Sequence, residues 1–340
     1  MILVTGGTGL VGSHLLFQLT SRNEPVKAIY RRAHKLDAVK KVFSYYSDDV
    51  KNLYNRIEWI EADLNDISAL TEAFKDVTHV YHCAAFVSFE PDKYHQLRKI
   101  NIEGTANIVN LCIRNHIKKL CYVSSIAAIG HELNEDKLIT EATPWNPEED
   151  HSVYAITKYG AEIEVWRGTQ EGVDAVIVNP GVILGPGFWR GGGSGSLINQ
   201  VYKGFPYYTN GITGYVDVDD VVEIMIQLMK SELKNESFIV ISENLSFKEF
   251  QTKVAKALGT IPAKKEAGKF LLGIGWRLDW INHKLFGKRR KLSKQLAKTA
   301  MSKTIYDASK IKTALNFEFK SMDLSINTVG KYFLKDLQEK

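Results

Sequence analysis

The chain has 340 residues, 44% of them apolar and 24% charged, with a formal net charge of +5. That composition suits one large globular domain or two fused ones; it excludes a disordered chain and a disulfide scaffold, and no apolar run reaches the roughly 18–20 residues that a membrane-spanning helix needs. The charge is uneven: from Lys264 to Lys303, twelve Lys/Arg stand against Glu266 and Asp279, a local balance of +10, so the other residues carry −5.

A strand pattern starts at once with Ile2, Leu3 and Val4, which leaves no room for a signal peptide. The three cysteines, Cys83, Cys112 and Cys121, form no CxxC pair and read as reduced core thiols. Both features set the expectation of a cytoplasmic protein. Short apolar, β-branched runs at 2–5, 26–30, 57–61, 78–84, 119–124 and 174–179 predict strands buried on both faces. Amphipathic stretches at 10–22, 66–76, 92–116 and 152–171 predict the helices between them. Such alternation implies right-handed βαβ units and a doubly wound parallel sheet of the Rossmann type. One extra helix is expected between Ala33 and Arg56. After Pro180 the pattern changes to a glycine-rich stretch, a helix near 195–203, a strand around Tyr215, a helix at 219–231, a strand at 237–241 and further helices. The expected organisation is a dinucleotide-binding domain over 1–180 and a smaller, mostly helical substrate lobe over 181–340, interleaved with the first.

Thr5-Gly6-Gly7-Thr8-Gly9-Leu10-Val11-Gly12 joins the first strand to the first helix. Gly6 suits a tight turn, Gly9 lets backbone amides approach a pyrophosphate, and Gly12 lets the helix pack closely. The Leu10 and Val11 amides then face an anion at a helix N-terminus. A ligand-free glycine turn is the plain alternative. Strand two ends in Tyr30-Arg31-Arg32, where an NAD site usually places a carboxylate. Arg31 and Arg32 favour a 2′-phosphate, hence NADP(H) over NAD(H); solvated surface arginines are the alternative. Asp63 and Leu64 after strand three fit an adenine, the carboxylate accepting from its amino group. Ala84 and Ala85 after strand four fit a close cofactor approach.

Tyr154 and Lys158 are four residues apart in a helical pattern, so they share a face. An ammonium beside a phenol is expected to lower the phenol's pKa from ~10 toward neutrality. Ser125, at the end of the fifth strand, can hydrogen-bond the same substrate oxygen. The chemistry expected is proton transfer by Tyr154, polarisation by Ser125 and hydride exchange with a nicotinamide.

With these residues in place, the sequence resembles the extended short-chain dehydrogenase/reductases, also called the NAD-dependent epimerase/dehydratase family. The resemblance spans nearly the whole chain. It rests on Thr5 to Gly12, Asp63-Leu64, His82-Cys83-Ala84-Ala85, Asn101 in Asn-Ile-Glu-Gly-Thr, Ser124-Ser125, Tyr154/Lys158, Asn179-Pro180-Gly181 and Tyr215 to Asp220. It implies a Ser125–Tyr154–Lys158 triad with Asn101 supporting a water relay to the lysine. It also implies that Lys158 holds the nicotinamide ribose and that Pro180 lines the nicotinamide pocket. Ser124 is the alternative to Ser125. The chain looks most like the dihydroflavonol-reductase and 3β-hydroxysteroid-dehydrogenase-like branch. The rival reading is a nucleotide-sugar epimerase or dehydratase, against which Ile129 replaces a tyrosine that many such epimerases carry. A non-catalytic dinucleotide-binding protein is the remaining alternative. No metal site is expected, and the family implies a homodimer through the helices near 92–116 and 152–171.

Phe86, Phe188, Trp189, Tyr207 and Tyr208 suit either a hydrophobic carbonyl substrate or plain packing. The Gly191–Gly195 run reads as a lid or as a surface loop. Residues 269–294 mix large apolar side chains with Lys288-Arg289-Arg290-Lys291. A cover over the substrate pocket is favoured there over peripheral contact with a membrane. Nucleic-acid binding is not expected, since the charge is confined to one segment.

Overall fold

The structure is a computed structural model that describes residues 1–130, 138–189, 193–287, 290 and 292–339. Its centre is a seven-stranded sheet built from β1 (Ile2–Thr5), β2 (Val26–Tyr30), β3 (Ile57–Glu61), β4 (His79–His82), β5 (Lys119–Val123) and β6 (Ala175–Pro180), with a strand from further along the chain. A second sheet joins β7 (Val182–Leu184), β9 (Ile212–Asp217) and β11 (Glu243–Ser246), while β8 (Tyr207–Tyr208) pairs with β12 (Lys265–Glu266). The seventh central strand is β10 (Glu236–Val240), which returns to lie beside β6.

The central order is β10-β6-β5-β4-β1-β2-β3, and every pairing in it is parallel. The chain winds from β1 outward through β2 and β3, then crosses to β4 and winds the other way. The order therefore reverses between β1 and β4, where open α/β sheets bind ligands beyond the strand C-termini.

Strand residues alternate between two cores, as period-two geometry requires. Val4, Ala28, Tyr81, Cys121 and Val178 face helices Leu10–Ser21 and Val218–Lys230. Leu3, Ile29, Val80, Tyr122 and Ile177 face helices Gly104–Arg114 and Val153–Gln170. A third core under the second half gathers Trp189, Tyr215, Phe250, Met322 and Phe333.

Two predicted segments differ in form. Between Ala33 and Arg56 lie two helices, Leu36–Phe43 and Val50–Asn55, instead of one. The break turns two tyrosines inward: the Tyr45 hydroxyl bonds Asp336, and the Tyr46 hydroxyl bonds His14 and Asp219. The 92–116 stretch is helical but underwound, with a π-helical turn at Arg98–Glu103 between Tyr94–Leu97 and Gly104–Arg114. Such turns often mark functional sites.

Candidate active site

Gly6 adopts φ +68°, and a Cβ on it would stand 2.6 Å from the Ala84 amide nitrogen. The turn after β1 is thus pressed against the end of β4, and only glycine fits. A Cβ on Gly12 would lie 2.2 Å from the Gly6 carbonyl oxygen, so the close contact Gly12 permits is with the turn itself. Gly9 caps helix Leu10–Ser21 with no side-chain bond, and the first turn carries no acid. The amides of Leu10, Val11 and Gly12 at this N-terminus have no intrahelical acceptor. A cradle that any Cβ would fill, followed by free amides on a positive dipole end, fits a dinucleotide pyrophosphate.

Beside this turn is a cleft of about 230 Å³. Gly6, Thr8, Gly9, Arg31, Arg32, Asp63, Leu64, Ala84 and Ala85 all line it, together with Tyr30, Lys35 and Phe86. The sequence reading missed Lys35; its signal was a third cation one turn beyond Arg31-Arg32. Arg31 reaches across to Asp63, Nη1 to Oδ2 at 3.4 Å, with both side chains partly open to solvent. Burial opposes ionisation of Asp63, but the Asn65 backbone and side-chain N–H groups and the Arg31 guanidinium hold its carboxyl below the usual range. A larger open cleft, about 620 Å³, lies at the opposite ends of the strands and holds none of the predicted site residues.

The remaining candidates sit at the C-terminal ends of β5 and β6. Ser125 lies two residues beyond β5 and caps a short 3₁₀ turn, its hydroxyl accepting from the Ala127 N–H at 3.1 Å. Helix Val153–Gln170, capped by Ser152, carries Tyr154 in its first turn and Lys158 one turn later. The Ser125 hydroxyl stands near the Tyr154 phenol and favours its ionised form. Burial pushes the Tyr154 phenol up to about 12, and the Ser125 hydroxyl pulls the other way. That direction is the reverse of the one expected from the sequence. The reason is geometric: Lys158 Nζ donates to the Tyr122 hydroxyl at 2.6 Å and the Val123 carbonyl at 2.9 Å. Burial pulls the Lys158 ammonium down to about 7, with the Glu162 carboxylate opposing.

Tyr122 and Glu162 were not picked out from the sequence. Glu162 lies one turn beyond Lys158 on the same face and accepts from Asn179 Nδ2 at 2.5 Å. Burial raises its carboxyl pKa, while the Ser124 hydroxyl, Asn179 and Lys158 oppose. On the other side, His82 stands opposite Tyr122 in the β4–β5 register and stacks on its ring at 5.4 Å. His82 Nε2 meets Thr105 Oγ1 at 3.0 Å, and His82 Nδ1 meets Thr5 Oγ1 at 2.6 Å. Thr5 Oγ1 in turn accepts from the Ala84 N–H at 3.2 Å. Lys158, Tyr122, His82 and Thr5 thus form a buried row across β5, β4 and β1 to the glycine turn, with a ring stack joining Tyr122 to His82.

Asn101 lies in the π-helical turn. Its amide bonds both backbone groups of Phe86, at 2.7 and 3.0 Å, and the Thr157 hydroxyl at 3.1 Å. These bonds tie it to the cleft wall and to the residue before Lys158, not to the lysine itself. Pro180 is the last residue of β6. Trp189 belongs to the packing alternative: it is buried against Phe333, and its indole N–H donates to Asp336 at 2.6 Å. Gly191 and Gly192 of the expected lid lie outside the described residues, and Gly195 is buried within helix Ser194–Tyr202.

The model of the NAD-dependent epimerase/dehydratase family matches residues 2–241. The chain belongs to this family. It is therefore an NAD(P)-dependent enzyme of the extended short-chain dehydrogenase/reductase type. Among its relatives, a Synechocystis sp. protein provisionally named dihydroflavonol 4-reductase is 28% identical over 90% of this chain and 87% of that protein. The sterol demethylase protein B of Methylococcus capsulatus is 26% identical over 84% of each chain. These names fit the reductase and steroid-dehydrogenase-like branch. Among solved structures, the Thermus thermophilus UDP-glucose 4-epimerase complex with NAD shares the fold, with a TM-score of 0.73 and 22% identity over 98% of both chains.

Proposed function

We propose that this extended short-chain dehydrogenase/reductase is an NADP(H)-dependent oxidoreductase interconverting a carbonyl and a secondary alcohol on a small hydrophobic substrate. The observation that carries the reading is Ser125 beside Tyr154, with Lys158 one turn further along the same helix. When bound, the dinucleotide supplies the hydride donor or acceptor. Gly6, Thr8, Gly9, Leu10, Val11 and Gly12 would hold its pyrophosphate. Asp63 and Leu64 would hold the adenine, Ala84 and Ala85 would lie along the cofactor, and Pro180 would line the nicotinamide end. Arg31, Arg32 and Lys35 around one cleft favour the 2′-phosphate of NADP(H).

Tyr154 is the proton donor in reduction, since burial keeps its phenol neutral. Ser125 orients the substrate oxygen beside it. Lys158 places its charge beneath them and would hold the ribose. Asn101 sets the Phe86 wall and fixes Thr157 beside the lysine. Ile156 and Ile163, exposed at 39% and 48% on the outer side of the same helix, support a homodimer through this face. A panel of hydrophobic ketones and aldehydes, followed by NADPH absorbance with NADH in parallel, tests the reading. Net oxidation of NADPH at least tenfold faster than of NADH is expected. Equal or faster NADH oxidation overturns the cofactor assignment. Interconversion of a nucleotide sugar with no net consumption of either coenzyme overturns the reaction.

A further inference from the structure

We propose that helix Lys269–Phe286 docks the enzyme on an anionic lipid surface, with its outward apolar face in the headgroup boundary. None of its 18 residues is buried. Among the described residues, 18 large apolar side chains are exposed, and eight of them lie on this helix. At 3.6 residues per turn, Phe270, Leu271, Ile274, Leu278, Ile281 and Leu285 fall within an arc of about 100°. Their exposures run from 41% to 83%. The opposite side, with Leu272, Trp276 and Asp279, is the half-buried one. There Arg290 Nε meets Asp279 at 3.6 Å, and the Leu292 N–H donates to it at 3.3 Å. The expected cover over the substrate pocket is thus not what the orientation gives: the apolar stripe points away from the protein.

Charge selects the occupant. The segment Lys264–Lys303 is +10 while the rest of the chain is −5. A second copy meeting this face would set one +10 segment against another, whereas an anionic membrane complements it. Beside the stripe, Lys284 lies over the exposed Trp280 ring at 5.1 Å. Tryptophan with a neighbouring cation is the side-chain chemistry of the membrane interface. No helix among the described residues is long and apolar enough to cross a bilayer, so the contact is peripheral. Lys298, in the next helix Lys294–Thr299, reaches Asp150 at 3.8 Å, just before the Tyr154 helix.

The test is flotation of the full chain with phosphatidylcholine vesicles, with and without phosphatidylglycerol. The expected result is at least tenfold more protein on anionic than on neutral vesicles, with release by high salt. The triple variant Ile274→Asp/Leu278→Asp/Ile281→Asp should lose at least tenfold of that binding. Its melting curve and NADPH titration should remain those of the wild type, since the three side chains are exposed. Failure of the wild type to float, or equal flotation of the triple variant, overturns the proposal. So does a concentration-dependent dimer in sedimentation that the triple variant abolishes, because the stripe would then be a protein interface.

Discussion

Lys158 donates its ammonium to the hydroxyl of Tyr122, 2.6 Å away in the sheet, and not to Tyr154 one turn earlier on its own helix. The lysine is therefore held from below. Its strand partner fixes the position of the charge, and its burial makes that charge titratable near neutrality. Tyr122→Phe should leave Lys158 with only the Val123 carbonyl. Loss of a hydrogen bond to a charged group costs about 1.5–3 kcal/mol, so carbonyl reduction should fall by roughly ten- to a hundredfold. Steady-state kinetics over pH 5.5–9 would check this, and an unchanged profile would show that the contact does not hold the lysine.

Glu162 raises the pKa of Lys158, which stands at about 7. Glu162→Gln removes that support, so the ammonium should be lost at a lower pH. The alkaline limb of kcat/KM for reduction should move toward acid. Movement toward alkali, or no movement, would contradict the coupling.

The same burial makes a prediction about stability. The folded Lys158 loses its proton near 7, against an ordinary 10.5. Between those values the unfolded chain carries a proton that the folded chain lacks, so this group makes stability rise with pH across that window. In Lys158→Met the contribution is absent. Urea unfolding at pH 7 and pH 9 should give a steeper rise for the wild type than for the variant; equal rises would mean that the lysine is not desolvated.

Arg32→Glu should weaken NADPH binding by at least thirtyfold and leave NADH within threefold, as measured by quenching of intrinsic fluorescence. Asp63→Asn should be milder toward NADPH, since it releases Arg31 from a partner 3.4 Å away without removing a cation. Parallel losses for both coenzymes in Arg32→Glu would place that residue outside the phosphate site.

Much of this was legible in the sequence for local reasons. The six strands up to Pro180 are short apolar runs, and the glycine turn is readable because conformation and space demand glycine at Gly6 and Gly12. Tyr154 and Lys158 stand out once their helical spacing is read together with Ser125 and the glycine turn upstream. What stayed hidden depends on register between distant segments. His82 meets Tyr122 only because β4 and β5 pair in one register, and no local pattern states that. Glu162 was readable in spacing but looked like one acid among many on a helix. The stripe on Lys269–Phe286 was visible as composition; its outward direction is set by the contacts of Asp279 and by the half-burial of Trp276. Strands β7 and β11 escaped because three or four residues are too few for period two to stand out.

The most direct test of the account is the Tyr154→Phe enzyme, assayed for NADPH-dependent reduction of whichever carbonyl the wild type turns over, with NADPH affinity measured alongside. Loss of a positioned proton donor predicts a fall in kcat of about 10²–10⁴-fold, with the NADPH Kd within threefold of wild type. Full activity in that variant would contradict the role given to the Ser125–Tyr154 pair.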